Sequence, residues 1–84
     1  MIKVKLFGVL RLDTGIKELE MDAQRVSDVY PRLLEEIRRR DPDSAVTLKE
    51  IRGCLVAVNS VAAKDGARLR DGDVVSLVPA SAGG

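Results

Sequence analysis

The chain has no histidine, no tryptophan and a single cysteine, Cys54. One thiol cannot form an internal disulfide, and without imidazole both Cys/His nucleophilic catalysis and the common zinc sites are excluded. Aromatic side chains are limited to Phe7 and Tyr30, so aliphatic residues must build the core of a chain whose apolar fraction is an ordinary 45%. An excess of one charge is also missing. The 14 basic and 13 acidic residues leave a balance of +1, which gives neither nucleic acid nor an anionic membrane an overall field to follow. No apolar run approaches the ~20 residues needed to cross a bilayer, and the start alternates Ile2-Lys3-Val4-Lys5 instead of joining a charged head to an apolar stretch. The expectation is a cytoplasmic protein without nucleic-acid or membrane partners, without a metal or cofactor of its own, whose chemistry is supplied by partner proteins.

At 84 residues the chain has room for one small domain. Ile2, Val4 and Leu6 share one face of a predicted strand, with Lys3, Lys5 and Phe7 on the other. Gly15 reads as a turn, and Ile16, Glu18 and Glu20 then alternate with Lys17, Leu19 and Met21, which predicts a hairpin with Leu19 and Met21 facing the core. Val26, Val29, Tyr30, Leu33, Leu34 and Ile37 recur at spacings of three and four and predict an amphipathic helix. Asp28 as N-cap would place Pro31 in the first turn, where its missing N–H costs no intrahelical bond. Glu35 with Arg39 and Glu36 with Arg40 form i,i+4 pairs, and Asp41-Pro42 ends the element.

Residues 43–53 have no clear period and read as a loop with one irregular turn at most. Leu55–Val58 is an apolar run that suits a fully buried strand, with Asn59-Ser60 as a turn and residues 61–64 as a short edge strand. Asp65-Gly66 and Asp71-Gly72 mark further turns. Val74, Val75, Leu77 and Val78 make a last strand that is apolar on both faces apart from Ser76, as a central strand beside the first requires. The resulting order, β-β-α-β-β-β, predicts an α+β fold of the β-grasp, or ubiquitin-like, type, with a mixed sheet of four to five strands covered by one main helix. The expected division is a domain over residues 1–78 and a flexible tail over 79–84.

That tail, Pro79-Ala80-Ser81-Ala82-Gly83-Gly84, ends in two residues without a Cβ, which suits passage through a narrow channel into another protein's active site. Extended, it reaches roughly 20 Å. Pro79 fixes φ where the tail leaves the strand, which either aims the tail or simply ends the strand. Phe7, if Ile2, Val4 and Leu6 face the helix, is either a partly exposed partner anchor or a residue tucked under the first hairpin. Leu77 and Val78 are further docking candidates, with core packing expected for at least one of them. Arg38-Arg39-Arg40 reads as a solvated helix end, and Cys54 as small core filling in preference to a sulfur relay.

The opening Met1–Phe7 with Leu10-Arg11, the segment Leu55-Val56-Ala57-Val58-Asn59, and above all the close Asp71-Gly72-Asp73, hydrophobic strand, Pro79, small residues and Gly83-Gly84 together resemble the MoaD/ThiS sulfur-carrier family. The likeness spans nearly the whole chain. It is nearer the molybdopterin synthase small subunit than the thiazole-pathway carrier, through the full-length helix and the Ala57-Val58-Asn59 turn. Leu77 and Val78 stand where members often carry two aromatics, and Arg11-Leu12-Asp13 departs from the usual arginine-glutamate-leucine. The resemblance implies that an E1-like enzyme adenylates the Gly84 carboxylate with ATP and magnesium. A sulfur donor then makes the thiocarboxylate. Gly83, Ala82, Ser81, Ala80 and Pro79 would enter the activating site, and the chain would not be catalytic alone. The sulfur acceptor implied is the molybdopterin synthase large subunit or another acceptor, in thiamine thiazole, cysteine or tRNA thiolation. Conjugation through Gly84 to lysines, as a ubiquitin-like modifier, uses the same activation.

Overall fold

The computed structural model describes residues 1–80; Ser81, Ala82, Gly83 and Gly84, and with them the expected site of adenylation and thiocarboxylate formation, lie outside the described residues. In chain order the elements are β1 (Ile2–Leu6), α1 (Gly8–Thr14), β2 (Glu18–Met21), α2 (Val26–Arg40), α3 (Leu48–Arg52), β3 (Cys54–Val58), β4 (Val61–Ala62) and β5 (Val74–Pro79). The strands form one sheet in the order β2-β1-β5-β3-β4, antiparallel except where β5 runs parallel to β1. This is the mixed β-grasp sheet expected from the sequence.

The predicted alternation sends Ile2, Val4 and Leu6 of β1, with Leu19 and Met21 of β2, to a single buried side. There they meet Val26, Val29, Tyr30, Leu33 and Ile37 of α2, the stripe read from the helical period. Asn59 and Ser60 both take positive φ (50° and 71°), the signature of the two-residue turn whose twist matches its strands, and they join β3 to β4.

Five local expectations are revised. Between β1 and β2 the chain makes α1 instead of a simple turn, and Gly15 (φ 71°) is that helix's C-terminal glycine, donating its N–H to the Arg11 carbonyl at 2.8 Å. Ile16, assigned by alternation to the face opposite Leu19, precedes the strand and is buried. Residues 48–52 form α3, capped by the Thr47 hydroxyl, which accepts the Glu50 N–H at 3.2 Å. The Leu55–Val58 run is not fully buried, because only one face of the sheet is covered and Leu55 stands on the other, 64% exposed.

The fifth concerns α2, which starts at Val26 with Asp28 in its first turn and Pro31 inside the helix on the exposed side. The helix begins earlier because its first donors find backbone partners elsewhere: Val26 N–H reaches the Ala67 carbonyl at 3.0 Å and Ser27 N–H the Asp65 carbonyl at 2.9 Å. The Asp28 carboxylate then accepts from the N–H groups of Gln24 and Arg25 at 3.2 and 3.1 Å. At the other end Arg39 bonds Glu36 rather than Glu35, and Arg40 joins the same carboxylate at 2.8 Å. The hydrogen bonds from these two guanidiniums hold the Glu36 carboxyl at about 2.

Candidate functional site

The end of β5 carries the tail, and its neighbours are set by strand register. Leu77 lies opposite Leu6 on one side and Val56 on the other, with no exposed surface, so it belongs to the core and not among the docking residues. Val78 is directed to the opposite face, where it is 42% exposed and sits opposite Leu55. Phe7 continues the alternation of β1 in extended conformation (φ −131°, ψ 167°), which sends it to the face opposite Leu6, and its N–H donates to the Leu77 carbonyl at 3.2 Å. It is 37% exposed. Phe7, Val78 and Leu55 thus form an apolar row across three strands on the uncovered face, at the end from which the tail leaves. Leu55 is the member that sequence reading missed, because an unbroken apolar run gives no period with which to assign faces.

Pro79 remains in the ladder, paired with Cys54. The carbonyls of Asp73, just before β5, and of Leu77 within it accept from Lys3 and Phe7, so odd-numbered residues direct their polar groups toward β1. A donor at position 79 would point the same way, past the end of β1, toward the Phe7 carbonyl that Arg11 N–H already occupies at 3.4 Å. Proline, which lacks that donor, stands where the paired part of β1 has ended. Its ring is braced by Gly8, which has φ +58° and lies so close that an added Cβ would sit 3.3 Å from the ring's Cγ and Cδ. Gly8 is a second residue the sequence analysis missed. A glycine just after the alternating run of the first strand is its only sequence signal.

On the helix-covered side, Pro79 and Ala80 border a cleft of about 210 Å³ whose walls include Val9 and Cys54. Cys54 is buried, its Sγ donating to the Glu50 carbonyl at 3.6 Å, and burial pushes its thiol above the ordinary value. That environment opposes thiolate formation and fits the core-filling reading over a sulfur relay. Among the described residues no cluster of metal-ligating side chains occurs, and no helix is long and apolar enough to cross a membrane. The three arginines that end α2 divide between Glu36, which takes Arg39 and Arg40, and the Val46 carbonyl, which Arg38 meets at 3.4 Å.

A small β-grasp sheet bearing an apolar row beside a braced strand end, followed by a diglycine sequence, is matched by a sequence model of the ThiS family over residues 4–84. The chain belongs to the ThiS family. That is the MoaD/ThiS-type sulfur-carrier family that the sequence resembles. A putative molybdopterin converting factor subunit 1 from Pyrococcus furiosus is 30% identical, with 93% of this chain and 94% of that chain covered at a TM-score of 0.61. A chain of the BexX/CysO complex from Amycolatopsis orientalis is 25% identical over the full length of both chains, at a TM-score of 0.64. The small archaeal modifier protein 1 of Methanosarcina acetivorans, 24% identical with 99% and 95% covered and a TM-score of 0.68, shares the fold. No functionally curated protein sequence matches the chain.

Proposed function

We propose that this ThiS-family chain is a sulfur carrier whose Gly84 carboxylate is adenylated by an E1-like enzyme and then converted to a thiocarboxylate that donates sulfur in molybdopterin biosynthesis. The observation that carries the reading is the placement of Gly83-Gly84 four to five residues beyond Pro79, at the end of a strand flanked by an exposed apolar row. The identity with the molybdopterin converting factor subunit from Pyrococcus furiosus favours this acceptor over thiazole, cysteine or tRNA thiolation.

A carboxylate resists attack because oxide is a poor leaving group. Transfer of AMP from ATP forms the acyl phosphate anhydride and releases pyrophosphate, with magnesium held by the activating enzyme. Sulfur at the sulfide level then attacks the acyl carbon, the C–O bond to AMP breaks, and the C–S bond of the thiocarboxylate remains. The chain is a co-substrate in this scheme and catalyses no step itself. Phe7, Val78 and Leu55 dock the activating enzyme, while Gly8 and Pro79 direct Ala80, Ser81, Ala82 and Gly83 toward its channel. Orientation of this kind replaces a bimolecular encounter of the carboxylate with ATP by a step within a complex. The sulfur acceptor is the molybdopterin synthase large subunit.

Deleting Gly84 tests the reading. In cells lacking their own copy of the gene, the wild-type chain restores molybdenum-cofactor synthesis and the deletion restores none, while the unfolding midpoint is unchanged. Normal synthesis with the deletion contradicts the proposal. Gly84-linked lysines in the same cells, with cofactor synthesis intact in the absence of the chain, establish protein modification in its place.

A further inference from the structure

The end of β5 is bordered by apolar surface on both sides of the sheet. On the uncovered face lies the row of Phe7, Val78 and Leu55. On the other is the cleft between α1 and the start of β3, lined by Val9, Gly53, Cys54, Pro79 and Ala80. Its volume of about 210 Å³ is below the roughly 300–1,000 Å³ typical of metabolite sites, and suits a single side chain. Glu50 is the charged residue in its lining, and it also lines a neighbouring depression with Asp13, Asp41 and Asp43. An apolar hole therefore opens beside a group of carboxylates.

Four residues separate Ala80 from the carboxylate of Gly84, a reach of about 13–14 Å when extended. A protein that encloses that carboxylate is brought against the strand end and over the mouth of the cleft. We propose that the activating enzyme seats one aliphatic side chain in this cleft, with a lysine or arginine beside it facing Glu50 and the neighbouring aspartates. The proposal rests on the reading of Gly84 as the site of adenylation. It makes the tail base a two-sided grip: the row on the uncovered face meets one surface of the enzyme, and the cleft receives a projection from another. Opposite charge beside the hole fixes which partner side chain enters and speeds the encounter.

The test is ATP–pyrophosphate exchange by the E1-like enzyme of the same genome, with the full-length chain as substrate. Val9→Trp fills the cleft from a half-exposed position on α1, and Glu50→Lys reverses the rim charge. Each is expected to raise KM for the chain by about ten-fold or more with kcat unchanged, and the Glu50→Lys effect alone to change with added salt. Should Val9→Trp not fold, Glu50→Lys, at an exposed position, retains the test. KM values equal to wild type for both, with Gly84 deletion still blocking exchange, overturn the cleft and leave adenylation standing. No exchange with the wild-type chain overturns both readings. Sedimentation of the chain alone adds a separate check, since a wild-type dimer that Val9→Trp dissociates assigns the cleft to a second copy and overturns the proposal.

Discussion

Leu77 and Val78 are neighbours in one strand, similar in chemistry, and have opposite environments. Leu77 is fully buried between Leu6 and Val56, whereas Val78 is 42% exposed beside Leu55. A strand alternates its side chains, and the single main helix covers one face only, so one step along the chain separates a residue that holds the fold from one that is free to meet a partner. The comparison extends to the whole sheet. Stability is concentrated on the side of α2, and the apolar surface left on the other side costs folding little and is available for recognition.

Extending the chain by one residue after Gly84 breaks the comparison most severely. Adenylation in the exchange assay is expected to vanish while thermal unfolding is unchanged; an active extended chain would show that the carboxylate is not the working group. Leu77→Ala acts on the opposite side, with an expected loss of about 2–5 kcal/mol in denaturant unfolding, since it empties a fully enclosed site. Gly8→Ala acts between the two. It places a Cβ at positive φ against the Pro79 ring, and is expected to cost about 1–2 kcal/mol and to raise KM for the activating enzyme as well. The double change Leu55→Thr with Val78→Thr keeps β-branching at position 78 and introduces it at 55. Stability is expected to stay within about 0.5 kcal/mol of wild type while KM rises about ten-fold. A large stability loss from this pair would erase the distinction between the faces.

The smallest effect concerns acid. The Asp73 carboxylate accepts the Arg70 backbone N–H at 2.8 Å and the Asn59 side-chain amide at 3.0 Å, which holds it below the ordinary carboxylate range. A folded value below the unfolded one means that its stabilisation is present above the unfolded value of about 4 and is lost as pH falls through the folded value. Asp73→Asn is expected to flatten part of the fall in Tm below about pH 4, with Glu36 retaining its share. An unchanged acid limb would remove Asp73 from the account.

Periodicity made much of this legible. The faces of β1, the stripe of α2, the central position of β5 and the Asn59-Ser60 turn all follow from residues a few positions apart. The start of α2 did not, because its first donors are satisfied by Ala67 and Asp65, about forty positions away, and a local N-cap rule has no means of anticipating that. The first helix was missed because Gly15 serves equally well as a hairpin turn and as a helix terminator. The second could have been read, since Thr47-Leu48-Lys49-Glu50 is a capping-box sequence. At the site, Phe7 and Pro79 were visible from the sequence, while Leu55 and Gly8 required register and close approach, which no linear pattern encodes.

The decisive measurement is the intact mass of this chain, with fragmentation of its carboxyl terminus, after gentle isolation from its own cells. Replacement of one oxygen by sulfur at Gly84 is the predicted result. An unmodified carboxylate on every molecule, in cells that lack the sulfur acceptor but retain the activating enzyme and the sulfur donor, would contradict sulfur carriage.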